Sequence, residues 1–271
     1  MSEVRRPMTG GPSAVSGGGV LLEIRELLMQ FGGVTALRGI NAGVPAGIIQ
    51  AVIGPNGAGK TTLFHCISGM LKPTAGRVVF EGESIEGLPP HRIALRGISR
   101  TFQHVALFQQ MTVLENVMLG RHPRTRSGFF STGFRLPAMR REERRIVETA
   151  REYLDFVGLA DSAHQQAGSL PLGRQKILEI GRALATEPKL LLLDEPAGGL
   201  NMRETEELGE LIRRIRGEGI TVMLVEHDMN LIMDISDRVL VLHFGEYLAQ
   251  GSPSEIKDNP EVIQAYLGGS E

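Results

Sequence analysis

The chain has 271 residues, 42% hydrophobic and 22% charged, with a formal net charge of −2. That suffices for a full hydrophobic core in one large domain or two small ones, and it gives no reason to expect wholesale nucleic-acid binding. A lone cysteine, Cys66, excludes an intrachain disulfide, and the longest apolar runs, 190–193 and 220–225, fall far short of the roughly 20 residues that span a bilayer.

Residues 1–19 carry Arg5 and Arg6 but no apolar stretch after them, so no signal peptide is expected; their Gly, Ser and Pro content predicts a flexible tail. An ordered domain is expected over 20–271. It opens with a strand at 20–28 and a turn at Gly32-Gly33. A short apolar run at 48–53, bounded by Gly47 and Gly54, reads as a buried strand. A helix is expected over 61–70 and a strand over 78–81. From 139 to 157, Ile146, Ala150, Tyr153, Leu154 and Val157 recur at helical spacing until Gly158. Between Arg121 and Arg145 lie eight arginines and two acids, which suit either a solvated face or contact with lipid headgroups or an acidic partner. A second buried strand follows at 190–193, then an amphipathic helix at 204–216 with Leu208, Leu211, Ile212 and Ile215 on one face. Two more strands are expected at 220–225 and 238–244. Strands alternating with helices predict a parallel α/β sheet, interrupted at about 105–169 by a mostly helical insert.

The strongest chemical signal is Gly54-Pro55-Asn56-Gly57-Ala58-Gly59-Lys60-Thr61, a match to the Walker A pattern between a strand and a helix. Its glycines let backbone N–H groups face phosphate oxygens, and the following helix aims its positive end at the same anion. Lys60 then reaches the β- and γ-phosphates, and the Thr61 hydroxyl ligates Mg²⁺. Asp194-Glu195 end the apolar run 190–193. They are either a solvated strand end or a Walker B pair, with Asp194 on the metal and Glu195 on the attacking water; strand alternation would aim them apart. His227 follows the run 220–225 and is either structural or a γ-phosphate ligand. Gln103 is a weaker candidate for metal or water contact. Phe31 either packs in the core or stacks on adenine. Cys66 reads as a small core residue, and the seven histidines show no zinc-like spacing with it.

In this order the motifs resemble the ABC-type ATPases over about 20–267, with Phe31 as the adenine-stacking aromatic and Gln103 as the glutamine of the Q-loop. Asp194-Glu195 match Walker B, and His227 matches the switch histidine. A narrower likeness, to the ATPases of branched-chain amino acid importers, rests on several segments. They are Arg100-Thr101-Phe102-Gln103, Leu107-Phe108, Met111-Thr112-Val113-Leu114-Glu115-Asn116, the Arg-rich insert, Glu195-Pro196-Ala197-Gly198-Gly199-Leu200-Asn201 and the stretch 260–268. The resemblance implies a RecA-like P-loop core with an N-terminal antiparallel β portion and an inserted helical subdomain. It implies ATP and Mg²⁺ as cofactors and hydrolysis of ATP to ADP and phosphate. Nucleotide would be held by Phe31, by Gly54, Pro55, Asn56, Gly57, Ala58, Gly59, Lys60, Thr61 and Thr62, and across a dimer by Gly173. Mg²⁺ would be held by Thr61, Gln103 and Asp194, and catalysis would fall to Glu195, His227 and Gln103. The implied partners are a second ATP-binding subunit, two membrane permeases and, indirectly, a substrate-binding protein, at the cytoplasmic face of the inner membrane. Branched-chain or related amino acids are the cargo expected first, with the same motor serving another cargo, such as urea, aromatic acids or exported lipid, as the alternative; a non-transport ABC ATPase or a small-molecule kinase fits less well.

One stretch departs from the family pattern. Where the family reads LSGGQ, this chain reads Leu170-Pro171-Leu172-Gly173-Arg174, then Gln175. Pro171 replaces the serine that would touch γ-phosphate. Because each ATP in such dimers meets the other chain's signature, the departure predicts a heterodimer with one stronger hydrolytic site.

Overall fold

The structure, a computed structural model, describes residues 19–102, 105–121 and 137–267, except the side chains of 137–141 and 267. The tail 1–18, Gln103 and most of the Arg-rich segment lie outside the described residues.

The described residues form two sheets. The first is antiparallel, with order β2-β1-β4-β5: β1 (Val20–Phe31) turns through Gly32-Gly33 into β2 (Val34–Pro45), and β4 (Ala75–Phe80) and β5 (Glu83–Ser84) extend the other side. β1 runs three residues past the expected 28, to the turn itself. β2 was not legible, because Gly39 and Gly43 and several register shifts blur its alternation.

The second sheet has order β10-β9-β3-β8-β7-β6. Its strands are β3 (Ile49–Ile53), β6 (Ile98–Arg100), β7 (Leu190–Asp194), β8 (Thr221–Val225), β9 (Arg238–His243) and β10 (Glu246–Gly251). All neighbours are parallel except β10, which runs antiparallel to β9. β3, β7 and β8 are buried throughout, hence their unbroken apolar sequences.

Alternation along these strands divides the core. Leu190, Leu192, Met223 and Val225 face one way, against the first sheet and α1 (Lys60–Ile67). Leu191, Leu193, Val222 and Leu224 face the other way, with α3 (Val113–Gly120), α4 (Pro137–Phe156), α5 (Leu172–Leu184) and α6 (Met202–Gly217). Full burial of one such leucine is worth roughly 1.5–3 kcal/mol, so these strands anchor the domain.

α1 ends at Ile67, short of the expected residue 70, because Gly69 takes a left-handed backbone with φ +72° and its Cβ position is filled by the Leu88 carbonyl. The expected insert contains α3 and α4, and α5, immediately after it, packs on both. α3 and α6 begin with reciprocal capping boxes, Thr112 with Glu115 and Asn201 with Glu204. Short helices α2 (Pro90–Leu95), α7 (Met229–Ile235), α8 (Pro253–Lys257) and α9 (Pro260–Leu267) also lie among the described residues. Among the described residues, no helix is long and apolar enough to cross a membrane.

The parallel strands fix where chemistry can occur. β3, β6, β7 and β8 all release their following residues at one edge of the sheet, where open α/β sheets form ligand sites.

Candidate functional site

The segment after β3 forms a tight cradle. Gly54 sits at φ +151°, and a Cβ there would lie 2.1 Å from the Leu242 carbonyl oxygen. Gly59 sits at φ +96°, where a Cβ would lie 2.7 Å from the Ala36 carbonyl oxygen. The Ala58 N–H donates to the Pro55 carbonyl at 3.1 Å, closing the turn. Gly59 caps α1 without any side-chain hydrogen bond, and the first turn holds no acid. The helix's first N–H groups therefore suit an external anion.

Lys60 is almost wholly buried. Its ammonium donates to the carbonyls of Gly54 (2.6 Å) and Pro55 (3.0 Å), so it lies along the cradle. Burial lowers its pKa, while the nearby Glu195 and Asp194 carboxylates pull it up. The Walker A lysine and both acids therefore share one electrostatic neighbourhood. Thr61 is exposed and Thr62 half-buried at the start of α1. Phe31 stands 46% exposed at the end of β1, a ring free to stack on a planar group.

The acids take separate places. Asp194 ends β7 on the α1 face, and its Oδ2 accepts from Arg100 Nη2 at 2.7 Å. Glu195 is not the next strand residue. Its backbone is left-handed, φ 48°, so a reversal of the chain, rather than strand alternation, sets its direction. Its Oε1 lies 2.9 Å from His227 Nε2, bringing the two expected catalytic groups into contact.

Besides Arg100, three residues that hold this arrangement were not anticipated. Glu226 is buried and accepts from the Ala197 N–H (2.5 Å, Oε1) and the His227 N–H (2.9 Å, Oε2), tying the segments after β7 and β8 together. Lys176, buried on α5, donates to the Glu195 carbonyl at 3.2 Å. Glu179, one turn on, reaches the N–H groups of Phe102 (3.5 Å) and Ala106 (3.4 Å), on either side of 103–104. Signals did exist. Glu226 follows an apolar strand as Asp194 ends one, and Lys176 falls in the apolar stripe of Gly173, Ile180 and Ala183.

Gly173 is buried at the start of α5, and a Cβ on it would lie 2.7 Å from Glu204 Oε1. A side chain at Gly173 would have to displace the Glu204 carboxylate of α6. Pro171 is the N-cap of α5 and forms no side-chain cap.

The ABC transporter family model matches residues 37–198, more than half of the chain, and the branched-chain amino acid ATP-binding cassette transporter model matches 248–271. This chain belongs to the ABC transporter family. The high-affinity branched-chain amino acid transport ATP-binding protein BraF of Pseudomonas aeruginosa is 47% identical over 249 residues, 92% of this chain and 98% of the relative. The corresponding protein LivG of Escherichia coli is 46% identical over the same shares. A nucleotide-free ATP-binding cassette from an ABC transporter superposes with a TM-score of 0.80 at 32% identity, covering 92% of this chain and 99% of that one. The fold is the expected RecA-like P-loop core, and the protein is an ATP-binding, ATP-hydrolysing cassette of the ABC family.

Proposed function

We propose that this chain powers an importer of branched-chain or closely related amino acids. Two permease subunits would hold it at the cytoplasmic face of the inner membrane, beside a second ATP-binding subunit and indirectly a substrate-binding protein. The cargo rests on the two relatives named above and on the C-terminal match at 248–271. The chemistry rests on one observation: Glu195 Oε1 lies 2.9 Å from His227 Nε2 beside the glycine cradle that carries Lys60.

ATP would lie with adenine on Phe31 and its phosphates in the 54–62 cradle. Lys60 exchanges the Gly54 and Pro55 carbonyls for β- and γ-phosphate oxygens. Glu195 takes a proton from a water in line with the γ-phosphorus as the water oxygen bonds to phosphorus. The bond from that phosphorus to the β,γ-bridging oxygen breaks, giving ADP and phosphate. His227 holds the γ-phosphate and, through its contact with Glu195, the water. Gln103 would meet the metal and water from the segment that Glu179 flanks.

The donors present fit Mg²⁺. The Thr61 hydroxyl and the Asp194 carboxylate are hard oxygen ligands, and no cluster of three or more His, Cys, Asp or Glu occurs among the described residues. Such a partial set suits an ion that keeps waters and binds substrate phosphates. When bound, Mg²⁺ neutralises charge on the β- and γ-phosphoryl oxygens.

Glu195→Gln tests the chemistry. Turnover should fall by about 100-fold or more while ATP affinity stays within about threefold, because only proton transfer is removed. Unchanged turnover would remove Glu195 from the role of base. The Pro171 signature supports pairing with a different subunit, so that this chain's own Walker A meets an intact signature. Purified chain hydrolysing ATP alone at the rate of the assembled transporter would overturn that pairing.

A further inference from the structure

Arg100, the cationic half of the buried ion pair at the end of β7, has no part in the chemistry above. Arg100 Nη2 donates to Asp194 Oδ2 at 2.7 Å, with the side chains only 6% and 3% exposed. The guanidinium is fixed from several sides. Nη1 donates to Ser68 Oγ at 3.1 Å, and that hydroxyl donates to the Phe64 carbonyl at 2.7 Å. The rings of Phe64 and Phe102 lie 5.9 and 5.7 Å from the guanidinium carbon. Nε is buried and has no partner among the described residues, so Asp194 and Ser68, with the Met70 Sδ at 3.5 Å from Nη1, supply the polar contacts that orient the group.

We propose that Arg100 is the resident counter-ion of Asp194: it holds the carboxylate until metal and nucleotide arrive, and thereby sets the metal concentration at which the site loads. This rests on reading Asp194 as a metal ligand. A positive charge already bonded to Oδ2 opposes a divalent cation at the same carboxylate, and in this buried setting the repulsion is weakly screened. The same charge attracts a triphosphate that arrives without metal. Removing it therefore has two effects of opposite sign, which loss of packing would not produce. Arg100 is a positioning residue here, acting through Asp194.

The test uses the full chain and a fluorescent, non-hydrolysable ATP analogue, titrated at stepped Mg²⁺ from chelator upward. Arg100→Gln keeps a hydrogen-bond donor for Asp194 but no charge. It should reach half-maximal binding at about tenfold lower Mg²⁺ or less, and bind metal-free analogue several-fold, on the order of fivefold, more weakly. Arg100→Lys should stay near wild type. A Gln variant with wild-type Mg²⁺ dependence, or one needing more Mg²⁺, overturns the counter-ion role. Asp194→Asn separates the two readings. If it retains the full Mg²⁺ effect, the ligand reading fails and this proposal with it; if it loses the effect while Arg100→Gln matches wild type, Arg100 alone is wrong. Should the Gln variant not fold, hydrogen exchange on the wild-type chain decides. Adding Mg²⁺ to the analogue complex should speed exchange at Thr101, whose N–H bonds to the Leu192 carbonyl at 2.9 Å beside the pair. Unchanged exchange there overturns the hand-over.

Discussion

The cradle after β3 and the acid-histidine side after β7 and β8 lie at the same end of one sheet but are built by different means. The cradle is a backbone object: its shape comes from positive-φ glycines whose absent Cβ atoms leave room for neighbouring carbonyls. The acidic side is a side-chain object. Glu195 and His227 are aimed by Glu226 and Lys176, buried charges that never need to touch nucleotide. The difference teaches where damage should show. Errors in the cradle should remove binding, whereas errors in the acidic side should leave binding and remove turnover.

Gly59→Ala should have the largest effect. Alanine would have to hold φ near +96° with its Cβ 2.7 Å from a backbone oxygen. We expect a stability cost above about 2 kcal/mol and ATP affinity reduced by about 30-fold or more. Denaturant unfolding and a nucleotide titration measure both, and near-normal affinity would show the cradle to be adjustable. Glu226→Gln comes next. Two N–H groups now point at two carboxylate oxygens; glutamine offers one oxygen and an NH₂ that would face a donor. Turnover should fall about 10- to 100-fold with ATP affinity within about threefold. Equal losses in binding and turnover would erase the contrast between the two sides.

The same contrast explains what the residue order disclosed. The cradle is contiguous, so its glycines, Lys60 and Thr61 could be read from eight successive residues. The buried strands β3, β7 and β8 were equally plain, because burial on both faces leaves no polar interruption. Glu195 and His227 were found by their place after such strands, but their 2.9 Å contact depends on β7 and β8 being neighbours. Arg100, Glu226, Lys176 and Glu179 escaped because their partners lie 94, 29, 19 and 77 or 73 residues away, or, for His227, on the adjoining residue through its backbone. The direction of Glu195 was expected from alternation, yet it comes from a left-handed backbone that only the folded chain reveals.

Glu179 offers the smallest and most selective test, because it acts on neither side directly. It sits on α5 with Oε1 facing the N–H groups on both flanks of 103–104 and Arg182 at 3.5 Å. Burial pushes its carboxyl above the usual range, against the opposing pull of the Ala106 N–H, the Arg182 charge, the Phe102 N–H and the Lys176 charge. A raised carboxyl binds its proton more readily folded than unfolded. Its stabilising contribution is therefore full below the ordinary glutamate pKa and is lost as pH rises through the folded value. Glu179→Gln removes that titration and keeps an oxygen for the two N–H groups. Unfolding both proteins from about pH 5 to about pH 7.5 should show the variant gaining on wild type as pH rises. A gain in the other direction would mean that the pair with Arg182 outweighs the burial of the charge. The charged carboxylate would then be the form the folded chain favours, and its hold on the Phe102 and Ala106 N–H groups would strengthen rather than weaken with pH.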